Sequence, residues 1–139
     1  MPSDTKVLLI DDDGDFRDST RSLLEGEGYS VSEATSGSEG LQRILEDCPD
    51  VIVLDVMMET LEEGYGVTQT IKFRNEFRQF RDVPIIMVSS IQESPDERFP
   101  AAGELDMVRP DRYVTKPIDI PRFLELIARV TRARKASKV

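Results

Sequence analysis

Three acids in a row, Asp11, Asp12 and Asp13, follow the apolar run 7–10, and a lone acid, Asp55, follows the apolar run 51–54. Two further runs end in different chemistry: 85–88 in Ser89 and Ser90, and the weaker 113–115 in Lys116-Pro117. Clustered carboxylates repel, and two unit charges about 4 Å apart cost on the order of 4 kcal/mol at an effective dielectric near 20. A divalent cation relieves that repulsion. An all-oxygen ligand set suits Mg2+, and the chain has no His to favour a softer metal. A carboxylate beside such a cation can act as a nucleophile toward phosphorus and form an aspartyl phosphate. A lysine supplies a point positive charge, and a hydroxyl a donor, for the phosphoryl oxygens. Phosphoryl transfer needs mainly this positioning and charge stabilisation.

The elements that must gather these groups are legible in the apolar pattern. Runs 7–10, 51–54 and 85–88 are continuous, as strands buried on both faces of a parallel sheet should be. Residues 29–34 alternate Tyr, Val and Ala with Ser and Glu, which predicts an edge strand with one wetter face. Helical spacing lies between the strands. Phe16, Thr20, Leu23 and Leu24 share one face. Ser36 and Glu39 have capping-box spacing ahead of Leu41, Ile44 and Leu45. Val67 and Ile71 continue through Phe77 and Phe80 as one longer amphipathic segment, with Phe73, Phe77 and Phe80 as helix packing. Phe123, Leu126, Ile127 and Val130 form the last apolar stripe. Residues 92–111 carry Pro95, Pro100, Gly103 and Pro110, so a helix there is short or irregular. Strand and helix alternate about five times, which predicts a doubly wound α/β fold whose site lies beyond the carboxyl ends of the strands.

Taken in order, Leu-Ile-Asp-Asp-Asp, Val-Leu-Asp, Val-Ser-Ser and Tyr-Val-Thr-Lys-Pro resemble the response-regulator receiver family, over roughly residues 6–130. The resemblance implies a flavodoxin-like five-stranded parallel sheet of order 2-1-3-4-5. It implies that Asp55 accepts the phosphoryl group, that Asp12 binds Mg2+ directly and Asp11 mainly through water, and that Met57 gives its backbone carbonyl to the metal. Ser89 and Lys116 then contact the phosphoryl group, Pro117 follows Lys116 through a cis bond, and Tyr113 aligns with the family's aromatic switch. The expected partners are a histidine kinase or phosphotransfer protein and a downstream protein target; homodimer formation is left open. The chain departs from the family at residues 58–64, where the usual proline is lost and an acid is added, and in the long proline-rich stretch between Ser89 and Lys116.

Other readings of the same residues compete. Asp13 or Asp15 can cap the following helix rather than bind metal. The series Asp11, Asp13, Asp15 mimics an EF-hand start, but Phe16 and Ser22 stand where that loop needs Gly and Glu. Asp11-Asp12-Asp13-Gly14 resembles the nucleophile motif of haloacid-dehalogenase-type phosphatases, with Asp11 as nucleophile. Those enzymes need an acidic pair after the lysine, and only Asp119 and Glu125 follow Lys116. A degenerate receiver that binds partners without phosphorylation is the remaining alternative.

Composition bounds the rest. The 139 residues suit a single domain, with a core over about 6–130 and a basic tail over 131–139. Net charge is −9, although the last eleven residues carry five cations and no acid. The acidic body argues against direct nucleic-acid contact. Cys48 alone makes no internal disulfide. The first residues lack signal-peptide character and no run suits a membrane span, so a cytoplasmic location is expected.

Overall fold

Each central strand sends alternate side chains to opposite faces, so a sheet covered on both sides needs apolar residues at every position. A computed structural model describes residues 5–55, 61–89, 112–115 and 118–137 and has this arrangement. Strands β1 (Lys6–Ile10), β2 (Ser30–Ala34), β3 (Val51–Asp55), β4 (Ile85–Ser89) and β5 (Arg112–Thr115) form one parallel sheet in the order β2-β1-β3-β4-β5. The expected fold class and strand order are therefore observed. β2 is an edge strand, half-buried along most of its length, as its alternation predicted.

The two faces have separate cores. Leu8, Ile10, Ile52, Leu54, Ile85 and Met87 pack with Ile44, Val67, Ile71, Phe77 and Phe80. These partners come from helices α2 (Gly37–Asp47) and α3 (Leu61–Phe73) and from a 3-10 helix over Asn75–Phe80. The intervening strand residues Val7, Leu9, Val51, Val53, Ile86 and Val88 pack with Leu24, Phe123, Ile127 and Val130. Those belong to α1 (Gly14–Gly26) and to the last described helix, α4 (Ile120–Ser137).

Helix starts follow the expected capping chemistry. The Asp13 carboxylate accepts from the backbone N–H groups of Asp15 (3.0 Å) and Phe16 (3.3 Å) and so caps α1. The Ser36 hydroxyl accepts from Glu39 N–H at 3.2 Å and caps α2. The reciprocal half of that box is shifted by one residue: Glu39 accepts from Thr35 N–H (2.6 Å) and from the Thr35 hydroxyl (3.0 Å). The Thr35 backbone N–H, then its hydroxyl, hold the Glu39 carboxyl below its ordinary range. α2 ends at Cys48, an exposed residue in the left-handed region (φ 51).

Three expectations need correction. The segment from Val67 to Phe80 is not one helix. α3 stops at Phe73, Arg74 is extended (φ −80, ψ 132), and a 3-10 turn follows. Ile71 and Phe77 are six residues apart, which puts them on different faces of a continuous α-helix. Breaking at Arg74 resets the phase, and the three-residue repeat then turns both Phe77 and Phe80 into the core. Phe73, left at the break, is 47% exposed rather than packed. Leu45 is also outside the core, at 43% exposure, so Leu41 and Ile44 carry the α2 face. At the other end α4 runs to Ser137, which fits the reading of the basic stretch as the end of a helix.

Candidate functional site

Sheet register sets the height of each chemical group. Ile10, the last residue of β1, pairs with Leu54 of β3, so Asp11 leaves β1 level with Asp55, the last residue of β3. Asp55 pairs with Val88, and the next residue of β4, Ser89, pairs with Thr115 of β5. Parallel pairing thus delivers Asp11, Asp55, Ser89 and Thr115 to one edge of the sheet, where β2 and β3 flank β1 on opposite sides. That is the switch point of a doubly wound sheet.

At this edge one carboxylate oxygen from each of Asp11, Asp12 and Asp55 lies within 4.8 Å of the other two. Asp11 and Asp55 are buried at 2% and 5% exposure, while Asp12 is exposed. The cluster is therefore walled by protein on the strand side and open to solution on the Asp12 side. Buried carboxylates are costly unless compensated. The donor set, three carboxylates with no His or Cys, fits a hard cation such as Mg2+.

Local hydrogen bonds fix the loop. Asp11 N–H donates to the carbonyl of Ala34, at the end of β2, at 3.1 Å. One Asp11 carboxylate oxygen accepts from Asp13 N–H at 2.9 Å, turning the chain into α1. The Asp11 carbonyl accepts from Arg17 Nη1 at 3.1 Å. Asp13 is occupied as the α1 cap, in line with its reading as a cap rather than a ligand.

The structure thus brings Asp11, Asp12 and Asp55 together. It places Ser89 and Tyr113 in neighbouring strands, with Tyr113 paired to Met87. The side chains of Ser89 and Tyr113 lie outside the described residues, as do Met57, Lys116 and Pro117. Of the departing segment 58–64, residues 61–64 form the first turn of α3. Sequence reasoning missed Arg17 and Glu33. Arg17 Nε donates to Glu33 Oε1 at 3.1 Å, and Arg21 Nη1 donates to Glu33 Oε2 at 2.6 Å. The available signal was Arg17 and Arg21 at i,i+4 on one helix face, but their partner is identifiable only once β2 is known to lie beside β1. A groove of about 420 Å³ between α1 and α4, lined by Phe16, Thr20, Leu23, Ile118 and Phe123, is apolar and offers no reactive group.

Residues 7–128 match the family model of the response regulator receiver domain. The chain belongs to this family. It is 38% identical over 120 residues to a probable transcriptional regulator ycf27 of Guillardia theta, a match covering 86% of this chain and 42% of that protein. It is 35% identical over 130 residues to the response regulator MprA of Mycobacterium leprae, covering 94% and 52% respectively. The chain spans about half the length of these curated relatives. A CheY-like receiver domain protein from Methanospirillum hungatei JF-1 has TM-score 0.77 at 26% identity, covering 97% of this chain and 99% of that one. The receiver family is a signalling family of two-component systems rather than one of classical enzymes. No helix among the described residues is long and apolar enough to cross a membrane.

Proposed function

We propose that this receiver domain, spanning residues 1–139, is a phosphoacceptor switch in which Asp55 takes a phosphoryl group from a histidine kinase or phosphotransfer protein. The observation that carries this reading is the three-carboxylate cluster, with the buried Asp55 at the end of β3 facing the Asp11–Asp12 loop. An Asp55 oxygen attacks phosphorus, the bond from phosphorus to the donor imidazole breaks, and the electron pair leaves with the imidazole. A bound Mg2+ would supply charge neutralisation for the phosphoryl oxygens. Asp12 would hold the metal directly and Asp11 mainly through water, with Met57 giving its backbone carbonyl. Lys116 and Ser89 contact the phosphoryl oxygens, and Tyr113 responds as the switch. The added charge biases a two-state surface that a downstream protein reads.

The setting is cytoplasmic. The acidic charge of this body argues against DNA contact by this module alone. Its curated relatives named as transcriptional regulators are about twice as long, so that argument does not extend to a whole protein of their kind.

The test is intact mass after incubation with a small phosphodonor and Mg2+. One phosphoryl adduct is expected in the wild type, none in Asp55→Asn, and none in the wild type with EDTA. An adduct retained in Asp55→Asn would refute the acceptor assignment. No adduct in either protein would leave the phosphorylation-independent binding module as the better reading.

A further inference from the structure

We propose that Arg17 is a positioning residue for the metal-binding acids, holding the peptide between Asp11 and Asp12 through a bridge anchored on Glu33 of β2. This rests on the reading of the acidic cluster as a Mg2+ site. Neither residue contributes a ligand, yet both bear on where the ligands sit.

The Asp11 backbone is tied at both ends to the same corner of the sheet. Its N–H donates to Ala34 O at 3.1 Å, and its carbonyl accepts from Arg17 Nη1 at 3.1 Å. Arg17 Nε is in turn held by Glu33 Oε1 at 3.1 Å, and Glu33 immediately precedes Ala34. The carbonyl that Arg17 grips belongs to the Asp11–Asp12 peptide unit, which is planar and moves as a body. Fixing that plane fixes the Cα positions from which both carboxylate side chains start. Two such ligands are useful to a small cation with strict octahedral demands only if their spacing is held.

Arginine suits the role because its rigid fork reaches two acceptors at once; a lysine ammonium reaches one or the other. The bridge is also sheltered, with Arg17 and Glu33 side chains at 17% and 21% exposure. Arg21 provides an internal comparison. It binds the other Glu33 oxygen at 2.6 Å, its side chain is 44% exposed, and its described bonds go to Glu33 and Glu25, not to Asp11. A simple helix-to-strand clamp would make Arg17 and Arg21 equivalent. A positioning role makes them differ in metal binding.

The experiment is calorimetric Mg2+ titration of wild type, Arg17→Met, Arg17→Lys and Arg21→Gln, with thermal unfolding of each with and without Mg2+. Loss of a partner that orients metal ligands typically weakens affinity by about 10–100-fold. Because Arg17 acts through backbone, the low end, about tenfold, is expected for Arg17→Met. Arg17→Lys should fall between, and Arg21→Gln should stay within about twofold of wild type. The rise in Tm given by Mg2+ should shrink in Arg17→Met, because metal-linked stabilisation depends on the ratio of metal concentration to Kd. Wild-type Mg2+ affinity in Arg17→Met, or in Arg17→Lys should the first variant not fold, would overturn the proposal and leave the metal site standing. No Mg2+ binding by the wild type would overturn both.

Discussion

Within the acidic cluster, exposure separates the roles of the three acids. Asp11 and Asp55 are built into the end of the sheet, whereas Asp12 is exposed beside them. Asp12→Ala therefore removes a ligand and a repelling charge without opening a cavity. Mg2+ affinity is expected to fall by tenfold or more, in the range seen for such sites. Stability without metal is expected to hold or to rise by up to about 1 kcal/mol, since one of three mutually repelling charges is gone. Denaturant unfolding with and without Mg2+ measures both effects, and an unchanged Mg2+ response would remove Asp12 from the ligand set. These three acids were legible in the sequence because each lies at or just beyond the end of an apolar run, where a parallel sheet exposes its chemistry. Arg17 was not, because its acceptors belong to residues 6 and 16 positions away that meet only in the folded sheet.

The elements around the site are held by packing that residue types only partly reveal. Gly40 is the clearest case: a Cβ there would stand 2.5 Å from Ile10 Cδ1 and 2.9 Å from Ile10 Cγ1. α2 thus lies against the last residue of β1, directly beneath the Asp11 loop, and only a missing side chain permits that approach. Gly40→Ala gains about 1 kcal/mol of helix propensity but overpacks a buried β-branched residue, which typically costs about 1–3 kcal/mol. A net loss of about 1 kcal/mol is expected in urea unfolding. Ile10→Val deletes the nearest atom, so the double variant should lose less than the sum of the singles. Simple additivity would show that α2 yields freely at this contact. From the sequence, Gly40 reads as an ordinary weak point in a helix. The strands and the caps at Asp13 and Ser36 were legible because each depends on near neighbours. The break at Arg74 was not, because apolar spacing alone does not distinguish a continued α-helix from a phase reset by a 3-10 turn.

For the molecule as a whole, charge is distributed along the sheet axis. Connections between parallel strands run back against the strand direction, so α4 starts on the side of the acidic site and carries its cationic end toward the opposite edge. Its 18 residues span about 27 Å, longer than a five-residue strand of about 17 Å. The exposed Arg129 and Arg132 thus lie in the half of α4 away from Asp11, Asp12 and Asp55, in a chain of net charge −9. A DNA duplex approaching that end gains at most a handful of phosphate contacts and is repelled by the remaining surface, and a phosphoryl group on Asp55 would add further negative charge. The expected outcome is no saturable binding of a labelled duplex in fluorescence anisotropy at about 150 mM salt, an affinity weaker than the usual non-specific Kd range of about 10⁻⁴–10⁻⁶ M. At low salt any residual attraction should vanish steeply as salt is added. Saturable binding that persists at physiological salt, and is lost when the cations of residues 129–138 are neutralised, would make the end of α4 a nucleic-acid contact and overturn the electrostatic argument.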